Sequence, residues 1–186
     1  MKMDKKHEWI LLVHQLPPKP SNLRVRTWRR LRSLGSISVK NAVYVLPFNE
    51  KTSEDFQWLS QEIESSGGEA AVFRADSVEG ATDKEIIDSF RTLRNEDYAR
   101  LIAGFEGLTA AVREPKKGRS LSIAKLTQYE AELGKLRQEL EHISETDFFH
   151  APKRKKAEAA FEKCLKQLHA NKTRITRASE ESGDAT

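Results

Sequence analysis

The chain is short of the residues that most often announce chemistry. It has one cysteine, Cys164, among 186 residues. An intrachain disulfide, a dithiol redox pair and a cysteine-pair zinc site are all excluded. Phe161, Leu165 and Leu168 flank it in sequence, which predicts a small buried apolar residue rather than a reactive thiol. The five histidines, His7, His14, His142, His150 and His169, show no i, i+4 pairing with another ligand. No metal site is expected from them. A lone histidine such as His14, at the end of an apolar run, reads as structural. No glycine-rich phosphate loop and no Ser/His/Asp arrangement is present. The carboxylates at Glu54-Asp55 and Glu96-Asp97 read as helix-start or solvated positions. The expectation is no enzyme and no cofactor.

Long apolar runs are missing too. None approaches the roughly 20 residues that cross a bilayer. The longest, Trp9 to Val13, has the size of a strand. The first residues, MKMDKKHE, lack the apolar region and small-residue cleavage site of a signal peptide. These absences predict a cytoplasmic protein with no membrane partner.

What is abundant is charge, and it is segregated. Residues 1–50 hold ten basic and three acidic residues, a balance of +7. Residues 51–112 hold six and thirteen, a balance of −7. Residues 113–186 hold sixteen and twelve, a balance of +4. A basic end of this kind suggests an anionic partner, of which nucleic acid is the commonest. The alternative is internal: the acidic middle neutralises the basic start within the fold or in a dimer.

Trp9 to Leu16 alternates as a strand, ended by Pro17, Pro18 and Pro20. Ser21 is a plausible N-cap for a helix from Asn22 to Leu34, closed by Gly35. On that helix Leu23, Thr27, Trp28, Leu31 and Leu34 share one face. Arg26, Arg29, Arg30 and Arg32 occupy the other, and Arg24 must snorkel from the apolar set. Ile37 to Leu46 reads as a second strand, with Lys40 and Asn41 mid-strand and in need of partners. Thr52 and Asp55 suggest a capping box before a helix that Gly67-Gly68 stops. Glu69 to Asp76 is a short third strand.

Beyond it the pattern turns helical. Thr82 and Glu85 form a second capping-box pair ahead of Ile86, Ile87, Phe90 and Leu93, with a possible kink near Asn95. REPKKGRS (Arg113 to Ser120) is a basic loop. Leu126, Tyr129, Leu133, Leu136, Leu140 and Ile143 then make a heptad seam. Its partner is the preceding helix or another copy. A final helix is expected from about Pro152 to Ala170, followed by a frayed tail.

The order β-α-β-α-β followed by helices predicts an α+β fold: a small ferredoxin-like sheet layer, then a helical hairpin and a C-terminal helix. The expected division is 1–80 for the sheet core, 81–170 for the helical extension and 171–186 for a disordered tail. A ferredoxin-like sheet needs a fourth strand. Residues 76–80, a bend splitting Ile37–Leu46, or another subunit could supply it.

The block HQLPPKPSNLRVRTWRRLRSLGSISVKNAVYVLP (His14 to Pro47) resembles the N-terminal domain of the chromate-resistance regulator family, ChrB. EDFQWLSQEIESSGGEA (Glu54 to Ala70) and DFFHAP (Asp147 to Pro152) extend the resemblance to about residues 8–170. It implies a cytoplasmic regulator whose relatives respond to chromate and control transcription. Those relatives usually carry a second, C-terminal domain, so this chain is expected to be a stand-alone version or a part. The stretch WRRLRSLGSISVKNAVYVLP also resembles, more weakly, a central domain of the phenylacetate-catabolism repressor family. That domain is similar in turn to the small ferredoxin-like nuclease subunit of CRISPR spacer acquisition. The nuclease carries a metal-binding aspartate at the end of its first strand, where this chain reads Val13-His14-Gln15.

The expected contact surface is Lys19, Arg24, Arg26, Arg29, Arg30, Arg32 and Lys40, since guanidinium groups hold phosphates and other oxyanions bidentately. A secondary basic patch comprises Lys116, Lys117, Arg119, Lys153, Arg154, Lys155 and Lys156. A solvated helix face is the alternative for both. Trp9, Trp28 and Trp58 read as core or core-edge residues. Expected partners are DNA, chromate or another oxyanion, and a second copy. The competing function is an oligomeric or oxyanion-binding module that touches no DNA.

Overall fold

The computed structural model of the chain describes residues 7–19, 21–78, 81–113 and 122–183. The element order is β1 (Trp9–Gln15), α1 (Ser21–Ser33), β2 (Ile37–Lys40), β3 (Val43–Pro47), α2 (Glu50–Ser65), β4 (Glu69–Ala75), α3 (Asp83–Arg113), α4 (Ile123–Glu145) and α5 (Arg154–Gly183). The fold is α+β, as expected: a four-stranded antiparallel sheet and then helices. Strand order β2-β3-β1-β4 is that of a ferredoxin-like split βαβ sheet.

The fourth strand comes from the bend. The run Ile37–Leu46 is not one strand but a hairpin, with Lys40 paired to Val43 and a register shift between Ser38 and Lys40. Asn41 and Ala42 therefore form the turn. Lys40 and Asn41 are exposed at its tip rather than buried mid-strand, so they need no internal partners. The backbone N–H of His14 reaches over to the carbonyl of Ala42 at 3.1 Å.

The chain forms two compact units, residues 1–92 with 146–149 and residues 93–145 with 150–186. The start of α3 thus belongs with the sheet. In the first unit Trp9, Ile10, Leu12, Val45 and Leu46 from the strands meet Leu31 of α1, Phe56, Leu59 and Ile63 of α2, and Ile86 and Phe90 of α3. Trp9 is wholly buried. Its ring stacks on Phe90 at 6.2 Å, with Phe149 at 6.1 Å. Its indole N–H donates to Asp83 Oδ1 at 2.8 Å, so the one polar atom of this buried ring is satisfied.

Local signals explain the element ends. Gly35 closes α1 at φ +76°, and a Cβ there would meet the Thr146 Cβ at 2.8 Å. Only glycine suits both the left-handed turn and the close approach. α2 starts earlier than expected. Its N-cap is Asn49 in extended backbone, accepting from Thr52 N at 2.9 Å while Thr52 Oγ1 accepts from Asn49 N at 3.0 Å. Pro47 ends the strand two residues before, so Asn49 is the first position whose side chain can take the orphan donors. Asp55, freed from capping, faces α1. The expected box at Thr82 and Glu85 does form, with Thr82 N donating to Glu85 Oε2 at 2.8 Å. That bond holds the Glu85 carboxyl below its usual range.

In the second unit the heptad seam is buried as a seam should be. Leu126, Leu133, Leu140 and Ile143 lie in one cluster with Tyr98, Leu101, Ile102, Phe105, Leu108 and Val112 of α3 and Ala157, Cys164 and Leu168 of α5. The partners of α4 are therefore both neighbouring helices of the same chain. Cys164 is fully buried, and burial pushes its thiol above the ordinary cysteine value. α3 runs through Asn95 as one helix, and the Asn95 carboxamide accepts from the backbone N–H of Lys153 at 2.9 Å. The last helix does not stop at Ala170 but continues to Gly183. Asn171 is buried there and donates to the carbonyl of Gln167 at 2.9 Å.

Candidate functional site

α1 crosses from β1 to β2 and buries Leu23, Thr27 and Leu31. At 100° per residue this leaves two different surfaces on the rest of the helix. One flank, carrying Arg26 and Arg30, faces α2. The outer ridge carries Val25, Trp28, Arg29 and Arg32, with Arg24 beside it.

The flank is neutralised. Arg26 Nε lies 2.8 Å from Glu62 Oε1, and its Nη2 donates to Ser66 Oγ at 3.0 Å. Arg30 Nη2 lies 3.8 Å from Asp55 Oδ1. Both carboxylates stand on the acidic α2, so part of the charge segregation cancels inside the fold.

The ridge is different. Val25 is 47% exposed and Trp28 50%. The guanidinium of Arg32 sits over the Trp28 ring at 5.5 Å. Arg24 Nη2 donates to the carbonyl of Pro18 at 3.1 Å, which fixes the side chain without cancelling its charge. Arg29 has no ion pair or side-chain hydrogen bond among the described residues. Lys19 and Lys40 are exposed. The arrangement presents cations and an indole on one rigid ridge, which suits phosphate contact plus stacking.

Trp28 lies at the core edge, whereas Trp58 is neither core nor core-edge. The buried stripe of α1 is centred on Leu23, Thr27 and Leu31 and leaves Trp28 at its margin. The buried stripe of α2, Thr52, Phe56, Leu59 and Ile63, leaves Trp58 opposite it and 69% exposed. Composition gives no warning of this; the helical phase of α2, read from its own apolar spacing, does.

In the secondary patch, Lys116, Lys117 and Arg119 lie outside the described residues. Lys153 precedes α5, and Arg154, Lys155 and Lys156 form its first turn, against the positive end of the helix dipole. Arg154 pairs with Glu158 at 3.0 Å. Lys155 and Lys156 are exposed. Elsewhere His14 is half-buried, its ring stacked on Tyr44 at 5.6 Å. Its Nδ1 has no partner among the described residues, and desolvation lowers its pKa. No group of three or more His, Cys, Asp or Glu residues capable of holding a metal occurs among the described residues. No described helix is long and apolar enough to cross a membrane.

A ferredoxin-like sheet domain followed by a helical unit, with a cationic ridge on its first helix, defines the class. The chain belongs to the ChrB N-terminal family, whose model, described as "Protein ChrB, N-terminal", matches residues 24–182. It is similar to Protein ChrB of Cupriavidus metallidurans (strain ATCC 43123 / DSM 2839 / NBRC 102507 / CH34), 26% identical over 119 residues. That match covers 63% of this chain and 36% of the relative, so the chain spans about a third of the relative's length. No solved structure matches the chain significantly.

Proposed function

We propose that the chain is a non-enzymatic regulatory module of chromate resistance that contacts DNA through the α1 ridge. Membership of the ChrB N-terminal family supports the regulatory reading. The observation that carries the DNA reading is the exposed ridge itself. Arg29 stays outward beside Trp28 even after α2 has taken Arg26 and Arg30, and Arg32 is exposed over the same ring. Arg24, Lys19 and Lys40 extend the cationic surface. Contacts of this type position a protein on the duplex without reading sequence.

Gel-shift titration of a random-sequence duplex tests the reading. Arg24→Ala/Arg29→Ala/Arg32→Ala should abolish retention while circular dichroism stays unchanged. Undiminished retention overturns it. The exposed guanidinium of Arg29 also fits a second reading, an oligomeric or oxyanion-binding module without DNA contact. Titrating chromate in the same gel-shift series separates the two. A regulator changes its retention with chromate, whereas a DNA-free module shows none at any concentration.

A further inference from the structure

The second unit holds a groove between the C-terminal end of α3 and the first half of α5, with a volume of about 380 Å3. Small-molecule sites begin at about that size. Its walls are held side by side beneath the floor, where the Phe105 and Phe161 rings meet with centroids 5.7 Å apart. The floor is Thr109, Ala110, Ala159 and Ala160, side chains too small to fill the space. The Thr109 hydroxyl is engaged within the fold, donating to the Phe105 carbonyl at 2.7 Å. The floor therefore offers an occupant apolar surface and no free donor.

The rim is the opposite. Arg113, Lys156 and Lys163 stand there, all exposed, with Glu106 as the one carboxylate. None of the four has an ion pair among the described residues, so three cations against one anion leave two positive charges over. On each helix the two charged residues are seven positions apart with the two small ones between them. That spacing makes the floor about 10 Å long, at ~1.5 Å per residue. The α5 wall carries only cations, whereas on the α3 wall Glu106 offsets Arg113.

We propose that this groove binds a small organic anion, with an apolar body along the alanine floor and a single acidic head group held by Lys156 and Lys163. Each half of the site rejects a different competitor. An inorganic oxyanion meets the rim but leaves the floor against water. A neutral apolar molecule covers the floor but leaves the cations without a counter-charge. Burial of the body supplies affinity in proportion to the apolar area covered, and the lysines select for charge. The groove shares no residue with the α1 ridge, so the proposal stands apart from the DNA reading.

Octanoate is the probe, followed by nitrogen-15 correlation NMR on the labelled full chain. Saturable shifts should gather on the amides of Thr109, Ala110, Ala159 and Ala160. Acetate, a head without a body, should leave those amides in place, and 1-octanol, a body without a head, should bind about tenfold more weakly. Lys156→Gln/Lys163→Gln keeps the stems, removes both charges and should raise the octanoate dissociation constant about tenfold. Ala110→Leu/Ala159→Leu fills the floor from two exposed positions and should abolish the shifts at Thr109 and Ala160. If circular dichroism shows the leucine variant unfolded, the lysine variant decides alone. Four amides that stay still at the solubility limit of octanoate overturn the proposal. So do equal shifts from acetate or chromate, equal affinity for 1-octanol, or a folded variant that binds octanoate as wild type does.

Discussion

α1 and the head of α5 are both cation-rich helical segments, and the fold treats them differently. On α1 the cations divide: Arg26 and Arg30 are held by Glu62 and Asp55 of a neighbouring helix, while Arg29 lies on an outward ridge with Trp28, whose ring the Arg32 guanidinium covers. At the head of α5 the Arg154–Glu158 ion pair is local, along the same helix, and Lys155 and Lys156 are exposed to solvent. Composition cannot tell these cases apart; the position of a cation around its helix axis can. The ridge is anchored by buried Leu23, Thr27 and Leu31, so the backbone that carries its cations is fixed. Flexible lysines at a helix start must lose more side-chain freedom to hold the same phosphate.

The sharpest break of this comparison is a pair of triple variants. Arg24→Ala/Arg29→Ala/Arg32→Ala should lower affinity for a random duplex by about a hundredfold or more at low salt, given the weight of phosphate contacts. Lys153→Ala/Lys155→Ala/Lys156→Ala should change it by less than about fivefold. Fluorescence anisotropy at fixed salt reads both. Equal reductions would show that net charge alone governs binding and would erase the distinction.

A second test releases the neutralised flank. Asp55→Asn/Glu62→Gln removes the carboxylates from Arg26 and Arg30 while keeping side-chain shape. Affinity for DNA should rise, and the log–log salt slope should steepen from about −3 toward about −4.5, at roughly 0.9 per phosphate neutralised. An unchanged slope means that Arg26 and Arg30 cannot reach a duplex even when released.

Smaller effects concern stability. The Arg26–Glu62 pair is exposed, with side chains 58% and 41% accessible. A double-mutant cycle read by urea unfolding should give a coupling under about 1 kcal/mol, as for other surface pairs. The fold therefore does not depend on the pairs that neutralise the flank. His14 adds a pH term. Burial holds its folded pKa below the ordinary 6.5, whereas the unfolded chain protonates near that value. As pH falls through 6.5 the unfolded chain binds more protons, so stability drops until the folded value is passed. The urea midpoint should fall as pH drops from about 7 to about 5.5, and His14→Gln should remove that part of the dependence.

Much of this fold is legible in the sequence because local signals agree with one another. The apolar alternation of Trp9–Leu16, the box at Thr82 and Glu85 and the closing Gly35 mean one thing each, and each is realised; the heptad seam left its partner open, and the fold supplies both neighbouring helices. The hairpin within Ile37–Leu46 is legible only as one of three sources for the fourth strand. Lys40 and Asn41 break the apolar run, and a polar pair in a strand is equally a turn. Asn49 escapes notice as a cap because Thr52 also fits one, and only the proximity of Pro47 decides between them. The candidate site is half legible. The sequence places five arginines on α1, but which of them meet Asp55 and Glu62 depends on how α2 lies beside it. That is a tertiary fact, absent from either helix alone. Trp58 misleads for a simpler reason: a tryptophan counts as apolar until its phase on the helix is considered.

The most direct measurement is the salt dependence of DNA binding by the wild-type chain and by Arg24→Ala/Arg29→Ala/Arg32→Ala, followed by anisotropy across a salt series. The ridge predicts a wild-type log–log slope near −3 that falls toward zero in the triple variant, at ~0.9 for each phosphate no longer neutralised. Matching slopes in the two proteins, or no binding by wild type at the lowest salt, would contradict it.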